Sequence, residues 1–147
     1  MTSHGYPDAA GTSVRAAAAC AAPAVSAPPD WTRGEPGLAL QRCSTCSHLW
    51  YFRRDFCPAC GAAGPLAVAA EGVGIVEAAT IVHRAPSDAF RALAPYRIVL
   101  VRLDEGVRVM GHGAYALAIG ERVRLGFREV AGRPLPYFDT IQDIRPT

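Results

Sequence analysis

Residues 43–60 read CSTCSHLWYFRRDFCPAC, and this stretch holds four of the chain's five cysteines. Two C-x2-C pairs separated by ten residues bring four thiolates to the corners of a tetrahedron, the arrangement of a closed metal site. The second knuckle, Cys57-Pro58-Ala59-Cys60-Gly61, strengthens that reading. Proline pre-sets the turn and glycine accepts a positive φ, so backbone N–H groups point at the sulfurs and spread their charge. The competing use is a pair of structural disulfides, which suits a secreted protein. A ribbon this small buries too little apolar area to fold alone. A structural zinc ion held by Cys43, Cys46, Cys57 and Cys60 therefore supplies folding free energy, on the order of 10 kcal/mol.

The N-terminal segment bears on the choice between metal and disulfide. Ala16–Ala24 is alanine-rich and superficially like a secretory leader, but it contains Pro23 and follows a start without positive charge before Arg15. The sequence reads better as a disordered Ala/Pro-rich tail and lead-in over residues 1–37, with Cys20 an incidental thiol. The expected compartment is cytoplasmic, and no stretch has the length of a membrane span.

The chain has 147 residues, half of them hydrophobic, which after the tail leaves one small domain beside the metal-stapled module. Its fifteen basic residues are all arginine, so Schiff-base catalysis by lysine is excluded. The formal net charge is +2, and only the ribbon, residues 38–66, is locally basic, with three arginines against one acid.

From residue 67 to 147 the pattern is one of short Val- and Ile-rich strands with no helical period. "GVGIVEAATIV" (72–82) carries two early glycines, as in a strand that coils sharply. "YRIVLVRL" (96–103) turns at "DEG" into "VRVMGHG" (107–113), a hairpin with Gly106 at its tip. "RVRLGFREV" (122–130) puts Val123, Leu125 and Phe127 on one face, and "PYFDTIQDI" (136–144) closes the chain. Five such strands, with a longer connection after the third, give a mainly β chain ending in a small five-stranded OB-like barrel.

The ordered set "LALQRC..C", "CPAC", "GVGIVEAATIVHRAP", "PYRIVLVRLDEGVRV" and "IGERVRLGF", from about Leu38 to Phe138, resembles the rubredoxin-like zinc-ribbon plus OB-fold proteins of acyl-CoA metabolism known as Domain of Unknown Function Thirty-Five. The chain departs from that family's pattern at Ser47, where a glycine is common, and at Phe52-Arg53-Arg54, where Pro-Pro-Arg is common. The aromatic helix ahead of the ribbon is reduced to Trp31. The resemblance implies a non-catalytic accessory subunit in a hetero-oligomer with a thiolase-superfamily enzyme: a thiolase, an acyltransferase or a lipid-transfer-protein-like aldolase. It further implies that ribbon and barrel help form the passage for a coenzyme A thioester.

The residues themselves present no obvious catalytic set: neither a G-x-S-x-G elbow nor a P-loop occurs. His4 and His48 read as bland, and His112 as a flexible hairpin end. His83 is either an exposed strand-end histidine or a hydrogen-bond donor to a coenzyme A phosphate or carbonyl. Trp50, Tyr51 and Phe52 are too crowded for a small ribbon to bury all three, so some of that apolar area must meet the barrel or another protein; a partner is the favoured reading, with Arg53 and Arg54 beside them. Those arginines have two other uses, offsetting the charge of a four-thiolate zinc site and attracting coenzyme A phosphates. The alternative function is a nucleic-acid-binding zinc ribbon and OB module. The near-balanced charge of the barrel, ten basic against nine acidic residues, and its few outward aromatics disfavour it. An iron site for electron transfer is a further rival, disfavoured by the ten-residue insert.

Overall fold

The computed structural model describes residues 27–141. The expected tail, with His4 and Cys20, and residues 142–147 lie wholly or largely outside that range. A 3₁₀ turn over Trp31–Arg33 opens the described chain, capped by Asp30, whose carboxylate accepts from the Thr32 backbone N–H at 2.9 Å and its hydroxyl at 2.7 Å.

A three-stranded antiparallel sheet follows, in the order β2-β1-β3, from Ala39–Arg42 (β1), Leu49–Trp50 (β2) and Leu66–Ala69 (β3). In β1 the two-residue period sorts the side chains. Leu40 turns toward the barrel and joins its core. Gln41 is buried on the ribbon side, where its Oε1 accepts from Trp50 Nε1 at 2.9 Å and from the Arg54 backbone N–H at 2.6 Å.

The five remaining strands are Val73–Val82 (β4), Tyr96–Leu103 (β5), Arg108–Gly113 (β6), Arg122–Val130 (β7) and Arg133–Thr140 (β8). They close a barrel in the order β4-β5-β6-β8-β7, with β7 returning to β4. This is the five-stranded barrel that the sequence pattern predicts, with the strand order of an OB-fold. Strand β4 coils for two identifiable reasons. Gly74 lies so close to β5 that a Cβ there would stand 2.4 Å from the Arg102 carbonyl oxygen. A bulge between Val76 and Ala78 then shifts the phase, so that Val76 before it and Ala79 after it both face the core. The bulged Glu77 is left outside, bonded to Arg102 and Arg108.

The core comprises Val76, Val99, Val101, Leu103, Val109, Leu117, Val123 and Phe138, joined by Leu38 and Leu40 from the ribbon side. Each such side chain contributes roughly 1.5–3 kcal/mol on full burial. Ribbon and barrel thus meet in one continuous apolar cluster.

Two sequence expectations are amended. The longer connection expected after the third strand is present, residues 114–121, but the longest follows the first strand, residues 83–95, and carries a one-turn helix, Asp88–Arg91 (α1), too short to show a helical period. The last strand begins at Arg133 rather than Pro136, because Ala131 and Gly132 at φ 51° and 74° make a tight hairpin turn from β7. Pro134 and Pro136 disguised that strand, since proline is rare inside a sheet.

Candidate metal centre and its surroundings

The two knuckles are built alike. In each, an N–H four residues on closes the turn onto the first cysteine: Ser47 donates to the Cys43 carbonyl at 3.0 Å, and Gly61 to the Cys57 carbonyl at 2.9 Å. Both closing residues are left-handed, Gly61 at φ 75° and Ser47 at φ 60°. The position where this sequence departs from glycine therefore keeps glycine's conformation, at the cost an L-residue incurs there.

These turns bring the four Sγ atoms of Cys43, Cys46, Cys57 and Cys60 within 4.8 Å of one another. Across the knuckles, Cys43 to Cys60 and Cys46 to Cys57 are each 3.6 Å. A tetrahedral zinc–thiolate site at about 2.3 Å per bond requires sulfurs about 3.8 Å apart, so the residues fit such an ion. All four are free thiols, which answers the disulfide alternative. Backbone N–H groups converge on the buried sulfurs: Cys46 and Thr45 on Cys43 at 3.5 and 3.4 Å, Ala59 on Cys57 at 3.4 Å. The Cys46 N–H is the largest influence drawing the Cys43 thiol down to about 6. The Ala62 N–H favours the Cys60 thiolate, but the competing Cys46 and Cys43 sulfurs push that thiol up to about 12. Four such sulfurs do not all ionise without a cation among them, and the cluster can hold a metal ion.

The aromatic insert divides three ways. Trp50 is a correction: it is 6% exposed, packed with Cys43 and Cys57, and its indole N–H is taken up by Gln41, so it does not face a partner. Tyr51 is half-buried against the barrel core and accepts a 2.6 Å hydrogen bond from Trp31 Nε1. Phe52 is 61% exposed and holds φ 64°, a strained conformation for a bulky residue. Arg53, Arg54 and His83 are exposed. Near Phe52 in sequence, Phe56 and Leu66 add exposed apolar surface on the ribbon.

A second correction concerns the barrel, which is richer in surface aromatics than its strands suggested. Tyr96 and His112 stack with centroids 4.8 Å apart and planes 13° apart, and Phe90 of α1 lies 5.9 Å from His112. His112 is thus part of an aromatic cluster, not a loose hairpin end. The signal was present in "AFRALAPYR", "GHGAY" and "PYF", but it required knowing that strand ends from opposite sides of the sequence meet at one barrel mouth.

Asp104 does not simply face water. It accepts both Nη atoms of Arg122, at 2.6 and 2.9 Å, and ties the β5–β6 hairpin to β7. Among the described residues no helix is long and apolar enough to cross a membrane.

A four-cysteine ribbon packed on a closed five-stranded barrel defines a two-part zinc-ribbon and OB-fold architecture. Residues 67–128 match the family described as "ChsH2, C-terminal OB-fold domain". A DUF35 domain-containing scaffold protein of Methanothermobacter thermautotrophicus is 30% identical over 98 residues, covering 63% of this chain and 73% of that protein. A second such scaffold protein, of Methanocaldococcus jannaschii, is 35% identical over 71 residues, 48% of this chain and 50% of its own. A chain of the solved Ltp2-ChsH2(DUF35) aldolase is similar at a TM-score of 0.63 and 32% identity, covering 72% of this chain and 86% of that one. The chain belongs to the DUF35 family.

Proposed function

We propose that this protein is a non-catalytic accessory subunit, stapled by zinc on Cys43, Cys46, Cys57 and Cys60, that docks on a thiolase-superfamily enzyme and helps form its acyl-CoA site. The observation that carries this reading is the likeness, over most of both chains, to a component of an assembly named as an Ltp2-ChsH2(DUF35) aldolase. The relatives named as scaffold proteins support it. A closed four-thiolate zinc site has no open position for chemistry, which suits a structural role.

The ribbon tip supports a docking role on physical grounds. Phe52 is a large apolar side chain held out to solvent on a backbone that disfavours it, with its ring 4.1 Å from that of Tyr51. Strain of this kind persists where function repays it, and an aromatic beside Arg53 and Arg54 is typical of an interface anchor. In this reading Phe52, Arg53 and Arg54 meet the enzyme in the cytoplasm, Tyr51 braces them, and His83 lies toward the coenzyme A thioester.

The test is gentle affinity purification of the tagged full chain from its native host, with bound proteins identified and zinc measured in the same sample. A stoichiometric thiolase-like or lipid-transfer-protein-like enzyme and one zinc per chain are expected. Recovery of the chain without such an enzyme would overturn the reading.

A further inference from the structure

The mouth of the barrel holds a cavity of about 270 Å³ that the docking role leaves unused. It opens where the face of β5 and β6 meets the 83–95 connection on one side and the β7–β8 hairpin on the other. That is the place where OB barrels characteristically take ligands. Its volume is close to the low end of small-molecule sites.

Its walls have a definite chemistry. One is the stack of Tyr96 on His112, a flat aromatic surface fixed by two strands, with the ring of Phe90 5.9 Å from His112 outside the lining. The other charged and aromatic groups are Arg97, Tyr115, Arg128, Glu129 and Tyr137, two cations against one carboxylate. The Arg128 guanidinium lies 3.4 Å above the centre of the Tyr137 ring, which holds its plane while leaving its N–H groups free to donate. Arg97 donates from Nη1 to the Tyr115 carbonyl at 2.9 Å, yet its Nε is buried without a hydrogen-bond partner. Neither arginine is in a salt bridge among the described residues. A buried guanidinium donor left unpaired beside a cavity is costly unless an acceptor arrives from outside the chain. His112 contributes a ring rather than a charge, because burial and the nearby Arg128 hold its pKa below the ordinary value.

Aromatic platform and paired guanidiniums together select a planar ring that carries an anion. We propose that this cleft binds a nucleoside phosphate, the base lying against the aromatic wall and the phosphate accepting from Arg97 and Arg128. Glu129, which also lines the cleft, offers an acceptor for a ribose hydroxyl or an exocyclic amine. The ten-to-nine charge balance of the barrel half favours a single nucleotide over a strand, since a strand groove needs a continuous basic track. The nucleotide has two possible sources, a free nucleoside phosphate or the adenosine end of coenzyme A. The inference concerns the isolated chain, so it stands or falls apart from the docking reading.

The experiment is calorimetric titration of the zinc-loaded full chain with adenosine monophosphate, coenzyme A, pantetheine and a short single-stranded oligodeoxythymidine. Ring resonances of Tyr96 and His112 are followed by NMR in parallel. Adenosine monophosphate and coenzyme A should both bind and shift those resonances, and pantetheine should do neither. Equal affinity for the two identifies a free nucleotide as sufficient, whereas at least tenfold tighter coenzyme A identifies the cofactor as the source. Arg128→Gln, at an exposed position, should weaken both by roughly tenfold with the melting temperature unchanged. Silence toward millimolar adenosine monophosphate, pantetheine binding as well as coenzyme A, or an oligonucleotide preferred over the mononucleotide by a hundredfold would each overturn the proposal.

Discussion

The ribbon and the barrel touch through one apolar cluster but are held in shape by different forces. Of the nine largest fully buried side chains, eight belong to the barrel half, and the ninth, Leu40, leaves the ribbon to join them. The ribbon keeps for itself only Cys43, Trp50 and Cys57, with Ala62 against them. Apolar burial therefore specifies the barrel, whereas in the ribbon a few backbone N–H groups and four sulfurs set the geometry and the metal must supply the energy.

That contrast is broken most sharply by taking the metal away. Chelation, or Cys57→Ser, should remove binding free energy on the order of 10 kcal/mol and unfold the knuckles. Strands β5 and β6 should keep their amide protection, because eight of the nine largest fully buried side chains lie in the barrel half and only Leu40 is contributed by the ribbon. Zinc stoichiometry together with hydrogen exchange reads both halves at once; a Cys57→Ser chain that retains one equivalent of zinc refutes the ligand assignment. The converse experiment is Phe138→Ala. Phe138 is fully buried in the barrel, so its truncation should cost about 3–5 kcal/mol in denaturant titration while zinc content per folded chain stays the same.

The same contrast explains what could be seen in the sequence. Metal spacing is local, so Cys43, Cys46, Cys57 and Cys60 were legible as a group without knowledge of the fold. Strands β5 and β7 were legible to the residue because alternation and the Gly106 turn are local as well. Trp50 was misread because its burial depends on Gln41, nine residues earlier, turning inward to receive the indole. The aromatic cleft escaped entirely, since Tyr96 meets His112 only across the β5–β6 pairing and His112 meets Tyr137 only when β6 pairs in parallel with β8, a non-local contact that periodicity does not reveal. Ser47 was visible as a departure, but only its φ of 60° shows that the turn is preserved.

A subtler probe separates stability from docking. Phe52→Gly relieves a left-handed non-glycine residue, so it should stabilise the free chain by about 1 kcal/mol in thermal or denaturant unfolding. If Phe52 anchors the enzyme, the same substitution should weaken the complex by about 1–3 kcal/mol, measured by calorimetry or surface binding. Gain in one assay and loss in the other is the expected pair. Unchanged affinity would move the docking face away from the ribbon tip.

The smallest expected effect concerns acid. Arg108 first, then Arg102, hold the Glu77 carboxyl below its ordinary value of 4.5, and Arg122 holds Asp104 below 3.8. Both folded values are depressed, so the unfolded chain binds protons first as pH falls. The stability these carboxylates contribute is complete above about 4.5 and is lost as pH drops through the folded values. It is modest, because the guanidiniums are half exposed and screened by solvent. Protons also compete with zinc for the thiolates, an effect confined to the ribbon. The two halves should therefore fail separately on acid titration: zinc release tracks the ribbon, and amide exchange over Val99–Leu103 tracks the barrel. Glu77→Gln should flatten the barrel's slope below pH 4.5 and leave zinc release where it was. If instead the substitution shifts zinc release, the salt-bridged bulge and the metal site are one cooperative unit, and the apolar cluster around Leu40 transmits more between the halves than its few side chains suggest.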